Sequence, residues 1–142
     1  MQLSMTGLTP MLKTENLEET IAFYTKTLGF SIDSTMPDEN GKTNWVSMTW
    51  GEAKLMFFSI EAIDDMAARP TMTGVLYFNP NDVKSLWENL KDKAPVEWEL
   101  QVMPYGMCEF AIRDCNGYIL TFGQDVKEKR TRENWPPQAG TC

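Results

Sequence analysis

The chain has 142 residues, 42% hydrophobic and 23% charged, a composition and length that suit one compact domain or two small modules and exclude a disordered polypeptide. Twenty acidic against thirteen basic residues give a formal charge of −7. Such a surface repels phosphate backbones, which argues against nucleic acid as a partner, and it favours a cationic ligand. There is no histidine, which removes the commonest general base, the commonest neutral metal ligand and every Ser-His or Cys-His nucleophile arrangement.

The first element expected is an apolar strand over residues 8–12. Asn16 then caps a helix with Glu19 three residues on, as in a capping box. Leu17, Ile21, Tyr24 and Leu28 recur at helical spacing and predict one buried face, ended by Gly29. Strands are expected over residues 30–34, 44–50 and 53–59, the last two joined by a Gly51-Glu52 hairpin turn. The order then repeats. A strand over 74–78 leads to a helix capped by Asn81 or Asp82, carrying Val83, Leu86, Trp87 and Leu90 on one face. Strands follow over 96–102, 108–113 and 118–123, with Asn116-Gly117 predicting a tight primed turn.

Two strand-helix-three-strand units, their helix starts 66 residues apart (16 and 82), suggest duplication and pseudo-twofold packing. The expected division is a first βαβββ module over 1–61, a linker over 62–71, a second module over 72–124 and a charged, proline-containing tail over 125–142. No window approaches the ~20 apolar residues of a membrane helix. Residues 1–5 do not read as a signal peptide, so a cytoplasmic location without membrane partners is expected. Cys108, Cys115 and Cys142 fit no zinc spacing and are read as free thiols in a reducing compartment.

Three stretches carry a family resemblance. The first is Pro10-Met11-Leu12, Asn16-Leu17-Glu18, Ile21-Ala22-Phe23-Tyr24 and Leu28-Gly29-Phe30. The second is the hairpin over 44–59. The third is Pro104-Tyr105-Gly106, Glu109-Phe110, Arg113-Asp114 and Gly117, ending in Leu120-Thr121-Phe122-Gly123. Together they resemble the vicinal-oxygen-chelate superfamily of glyoxalase I, extradiol dioxygenases and bleomycin-resistance proteins, over roughly residues 8–124. The third stretch is similar to the Pro-Trp-Gly, Glu-Phe, Asp-Pro, Gly run of the bleomycin-resistance proteins, with Tyr105 in place of tryptophan and Cys115 in place of proline.

The resemblance implies an α+β fold of two tandem βαβββ modules forming a curved mixed sheet around a cleft, in a homodimer. Pro10 matches a proline that accompanies exchange of the N-terminal arm between subunits, which would place residues 1–9 on the partner. The superfamily's metal positions fall on Thr9, Met56, Val75 and Thr121. Thioether, methyl and hydroxyl groups do not build a site for Zn²⁺, Fe²⁺ or Mn²⁺, so no metal cofactor is expected.

What remains is a binding protein without chemistry of its own. The resemblance puts Trp45 and Tyr105 at stacking positions against a ligand. Strand alternation adds Phe58 to Met56, Tyr77 to Val75 and Met11 to Thr9, a wall suited to a flat organic ligand. Glu109 would attract a cation from inside the cleft. The expected function is sequestration of a cationic bleomycin-type antibiotic. Two alternatives stay open. One is a lyase, isomerase or dioxygenase with atypical ligands such as Glu109 and Glu61. The other is a subunit that makes protein contacts through Pro136-Pro137. The competing assignment for each aromatic is ordinary core, adopted for Phe23, Phe30, Trp87 and Phe110. Trp50 and Trp98 are read as strand residues at a wet face, and Asp114 as the cap of its turn.

Overall fold

A computed structural model describes residues 2–59, 69–126 and 142. The chain divides into two compact units, Met1–Pro70 and Thr71–Cys142, termed here the N-module and the C-module.

The N-module runs β1 (Met11–Thr14), α1 (Leu17–Ala22), a π-helical turn (Phe23–Leu28), β2 (Ser31–Pro37), β3 (Thr43–Trp50) and β4 (Ala53–Ser59). Its sheet has the order β1-β4-β3-β2, with β1 parallel to β4 and the other pairs antiparallel. Strand β1 starts at Met11, three residues later than the apolar run suggests. Pro10 has no N–H for the ladder; only its carbonyl takes part, accepting from Met56 N–H at 2.9 Å.

Asn16 caps α1 as expected, its side chain accepting from Glu19 N–H at 3.0 Å. The helix then departs from the expected single face. The π-helical turn closes on Gly29, whose N–H reaches Tyr24 O five residues back at 3.0 Å, and Phe30 N–H donates to the same oxygen at 2.8 Å. Gly29 holds φ 126°, a backbone that side chains rarely adopt. The wider turn rotates the buried stripe. Leu17, Thr20, Tyr24 and Leu28 are buried, while Ile21 is partly exposed. Tyr24 sits among Phe23, Phe30 and Phe57, with ring centroids 5.6, 5.4 and 4.8 Å away. Packing against β3 and β4 brings in Val46, Met48 and Leu55. Trp50 belongs to this side too, edge-on to Phe30 at 5.6 Å and against Gly29, so it is not a wet-face residue.

The C-module runs β5 (Leu76–Phe78), α2 (Val83–Leu90), β6 (Val96–Val102), β7 (Met107–Arg113) and β8 (Ile119–Asp125). Its sheet, β5-β8-β7-β6, repeats the first topology. Each module therefore has its own four-stranded sheet, where the sequence suggested one curved sheet. Strand β5 is shorter than the expected 74–78. Asp82, not Asn81, caps α2, accepting from Ser85 N–H at 3.0 Å. An aromatic row links the sheet to α2, running Phe78, Phe122, Phe110 and then Trp87 of the helix, with successive centroids 5.2, 5.1 and 5.2 Å apart.

The β7–β8 turn differs from the primed turn expected. Only Gly117 has positive φ (84°), whereas a type I′ turn needs it at both central residues. Asp114 organises the turn instead, its Oδ1 accepting from the N–H groups of Asn116 and Tyr118 at 2.9 and 2.8 Å. Cysteine usage also needs correction. Cys108 and Cys142 form a disulfide, and only Cys115, which is exposed, lies outside it. The argument from free thiols to a reducing compartment is thereby removed. No helix among the described residues is long and apolar enough to cross a membrane. Glu61, Pro136 and Pro137 lie outside the described residues, as do 62–68 of the expected linker.

Candidate functional site

Strand alternation gives each sheet a face under its helix and a helix-free face. In the C-module Phe110, Leu120 and Phe122 point to α2. Their neighbours Glu109, Ala111, Thr121 and Gly123 point the other way, registered as Glu109 opposite Gly123 and Ala111 opposite Thr121. Tyr77 on β5 is level with Thr121.

Glu109 is the centre of this face and only 1% exposed. Tyr77 hydroxyl donates to its Oε2 at 2.8 Å. A second phenol, Tyr105, stands close enough to Glu109 to feel its charge. It is held at the tip of the β6–β7 hairpin by a turn in which Gly106 N–H donates to Met103 O at 2.9 Å, with Gly106 at φ 83°. Burial first, and then the neighbouring Glu109 carboxylate, pushes the Tyr105 hydroxyl up to about 12 and the Tyr77 hydroxyl well above its ordinary range. Losing either proton would place a phenolate beside a carboxylate. Asp125 adds negative potential at Tyr77. Among the described residues no Lys or Arg lies within ion-pair distance of Glu109.

Gly123 makes this arrangement sterically feasible. A Cβ at that position would fall inside the Tyr77 phenol, against its hydroxyl, Cζ and Cε1. With only hydrogen on Gly123, the ring crosses β8 and reaches Glu109.

The N-module's helix-free face carries different chemistry. Met11 is level with Met56, and Trp45 with Phe58. Phe58 is buried, Trp45 and Met56 are partly buried and Met11 is half exposed. At the far strand Asp33 accepts from Thr49 Oγ1 at 2.9 Å and Ser47 Oγ at 3.4 Å. Thus Tyr77, Tyr105 and Glu109 come together in one module, and Met11, Trp45, Met56 and Phe58 lie on one face of the other. Sequence reasoning did not find the Asp33 cluster, the role of Gly123, or two buried polar atoms without partners, Thr121 Oγ1 and Trp98 Nε1. A glycine inside a strand does signal close approach, so Gly123 was detectable.

The positions that the sequence resemblance assigns to a metal carry side chains that do not fit one. Thr9, Met56, Val75 and Thr121 supply two hydroxyls, a thioether and a methyl-bearing side chain, poor donors for divalent first-row ions. Among the described residues no three His, Cys, Asp or Glu side chains converge on one point.

No curated protein matches the chain in sequence. Solved structures share its fold. TioX from Micromonospora sp. ML1 is 15% identical with a TM-score of 0.71, over 85% of this chain and 99% of that one. A glyoxalase/bleomycin resistance protein/dioxygenase from Nocardioides is 16% identical with a TM-score of 0.70, over 91% and 89%. UcmS2 is 15% identical with a TM-score of 0.66, over 87% and 98%. The profile of one family matches residues 9–122, most of the chain, and so the chain belongs to the Glyoxalase/Bleomycin resistance protein/Dioxygenase superfamily.

Proposed function

We propose that the chain is a metal-independent binding protein that sequesters a cationic organic molecule of the bleomycin-antibiotic type, with Glu109 as the cation-recognising group. The superfamily's own description joins enzymes and resistance proteins, so membership leaves the choice to the site. One observation carries the reading: a carboxylate 1% exposed, hydrogen-bonded by one neutral phenol, with a second nearby, and paired with no cation among the described residues. A buried carboxylate without a counter-charge is costly, and a cationic ligand would offset that cost. Tyr105, 45% exposed beside it, offers an aromatic face for stacking and cation–π contact. The charge of −7 speeds encounter with a cation in a salt-dependent way. Sequestration needs only tight binding and slow release, a role open to a protein without acid/base machinery. The homodimer and cytoplasmic location expected from the sequence belong to the same proposal.

Titration of tryptophan fluorescence with metal-free bleomycin, at low and moderate salt, tests it. Saturable quenching weakened by salt is expected. Glu109→Gln should weaken binding by more than about thirtyfold, the usual cost of removing one partner of a buried charge pair. A flat response would eliminate bleomycin as the ligand. Unchanged affinity in Glu109→Gln would eliminate the carboxylate as its site. Stoichiometric metal in the purified protein would turn the assignment to an enzyme.

A further inference from the structure

The two side-chain polar atoms that are buried without a partner among the described residues are Thr121 Oγ1 and Trp98 Nε1. They share a row. Trp98 on β6 is level with Ala111 on β7, and Ala111 is level with Thr121 on β8. The next row on the same face holds Gln101, Glu109 and Gly123. Between Trp98 and Thr121 stands only the methyl group of Ala111, which is itself fully buried, so the row is covered in this structure and polar at both ends. Thr121 itself is 1% exposed.

Buried polar atoms without partners are uncommon and unfavourable, and each calls for a physical reason. The chemistry of this pair is specific. Indole N–H can only donate, and a threonine hydroxyl can donate or accept. The group that satisfies both is an oxygen acceptor. An anionic acceptor would meet the Glu109 carboxylate one row away, which leaves a neutral one such as an amide carbonyl.

We infer that Thr121 and Trp98 form a second recognition point beside Glu109, and that the ligand is a cation bearing a neutral oxygen acceptor, typically an amide, at a fixed distance from its charge. The inference rests on the reading of Glu109 as the cation site. Neighbouring rows on one sheet face lie about 7 Å apart and adjacent strands about 5 Å, so the charge and the acceptor are separated by roughly 6–9 Å. Entry requires Tyr77 to swing aside. It is level with Thr121 and bonded to Glu109, and at 42% exposure it already has one side in water. A cation at Glu109 replaces the Tyr77 hydroxyl as donor, while the acceptor settles between Trp98 and Thr121.

Three small probes separate the two points: benzylamine (cation only), para-methylbenzamide (acceptor only) and para-(aminomethyl)benzamide, which carries both at a comparable separation. Binding to the full-length protein is read by calorimetry or ligand-observed NMR. The two-function probe should bind about tenfold more tightly than benzylamine, as one or two net hydrogen bonds allow. Thr121→Val and Trp98→Phe should each reduce that ratio towards one. Thr121→Val should also leave the melting temperature unchanged or raised, because no hydrogen bond of its hydroxyl is lost. A hydroxyl with a structural role would lower it. Trp98→Phe supplies the binding test if the valine variant folds poorly. Equal affinities of the two amines, both lost in Glu109→Gln, would overturn this inference and leave the cation site standing. Binding of para-methylbenzamide in a Thr121-dependent way, without benzylamine binding, would keep the second point and remove the Glu109 reading. Failure of all three probes would remove both.

Discussion

Replacing Gly123 with alanine probes the site from beneath. The new Cβ would occupy the space of the Tyr77 phenol, while the backbone itself can accept alanine because Gly123 is not among the glycines with positive φ. The ring is the movable partner, being 42% exposed, so it should swing outward and release Glu109. The lost interaction is a hydrogen bond to a carboxylate, worth about 1.5–3 kcal/mol. Against it stands a gain of roughly 0.4–1 kcal/mol from the smaller backbone freedom of alanine in the unfolded chain. The net expectation is a loss of about 0.5–2.6 kcal/mol, or roughly 1–10 °C in Tm for a chain of this size.

The assay is a double-mutant cycle by urea denaturation, followed by far-ultraviolet circular dichroism and tryptophan fluorescence together. In a Tyr77→Ala background the obstacle is gone, so Gly123→Ala should be neutral or stabilising by about 0.4–1 kcal/mol. The coupling between positions 77 and 123 should therefore exceed about 1 kcal/mol. An equal cost of Gly123→Ala in both backgrounds would refute the steric argument and leave Gly123 as a residue needed by the strand itself.

Alkaline pH should destabilise the fold through the two phenols at Glu109. Their folded-state values lie above the ordinary 10.0 of tyrosine, so the folded protein holds protons that the unfolded chain releases. That stability is complete below about pH 10 and is lost as pH rises towards and past about 12; a urea midpoint followed against pH should fall more gently there in Tyr77→Phe. Alkylation counted by mass spectrometry should place one label on the native chain, at Cys115, and three after unfolding and reduction. Two extra labels on the native chain without reductant would contradict the Cys108–Cys142 pair. Asn16→Ala and Asp82→Ala should each lower stability by about 1 kcal/mol, measured as a shift in urea midpoint at constant slope. Removing residues 1–8, where Leu3, Met5 and Leu8 are 82–88% exposed, should convert the proposed dimer to monomer in light scattering; a dimer that survives would exclude the arm as its fastening.

The features legible in the sequence were those fixed by near neighbours. Asn16 could be read as a cap, and Asp82 as one of two candidates with Asn81, because Asn16 and Asp82 each bond an N–H three residues on. Alternation was enough to pair Met56 with Phe58 on one face, because a strand's period is fixed by its backbone. The start of β1 was misplaced because apolar character was weighed above the missing N–H of Pro10. The π-helical turn was invisible because its cause is tertiary: Tyr24 is buried among three aromatic rings, and helical spacing alone does not show which rotation brings it there. The partner of Cys108 is 34 residues away, a distance at which spacing carries no information. Thr121 reads from the resemblance as a vacated metal position, because the burial of its hydroxyl without a partner is set by packing that spacing does not show.

Duplication explains how one fold came to carry two unlike surfaces. Met11 and Tyr77 are 66 residues apart, as are the two helix caps, and each stands level with a residue of the last strand of its module, Met56 or Thr121. The backbone positions are equivalent. The N-module fills them with thioethers beside Trp45 and Phe58, and the C-module with a phenol and a hydroxyl beside a buried carboxylate. Apolar and polarizable groups contribute contact area and adapt to shape, while a few fixed polar groups set the orientation of what is bound. On the proposed reading, the N-module surface would tolerate many flat ligands, and the C-module surface would reject any that leave Glu109, Thr121 or Trp98 without a partner. Discrimination among ligands should therefore respond to substitutions in the C-module far more than to those at Met11 or Met56.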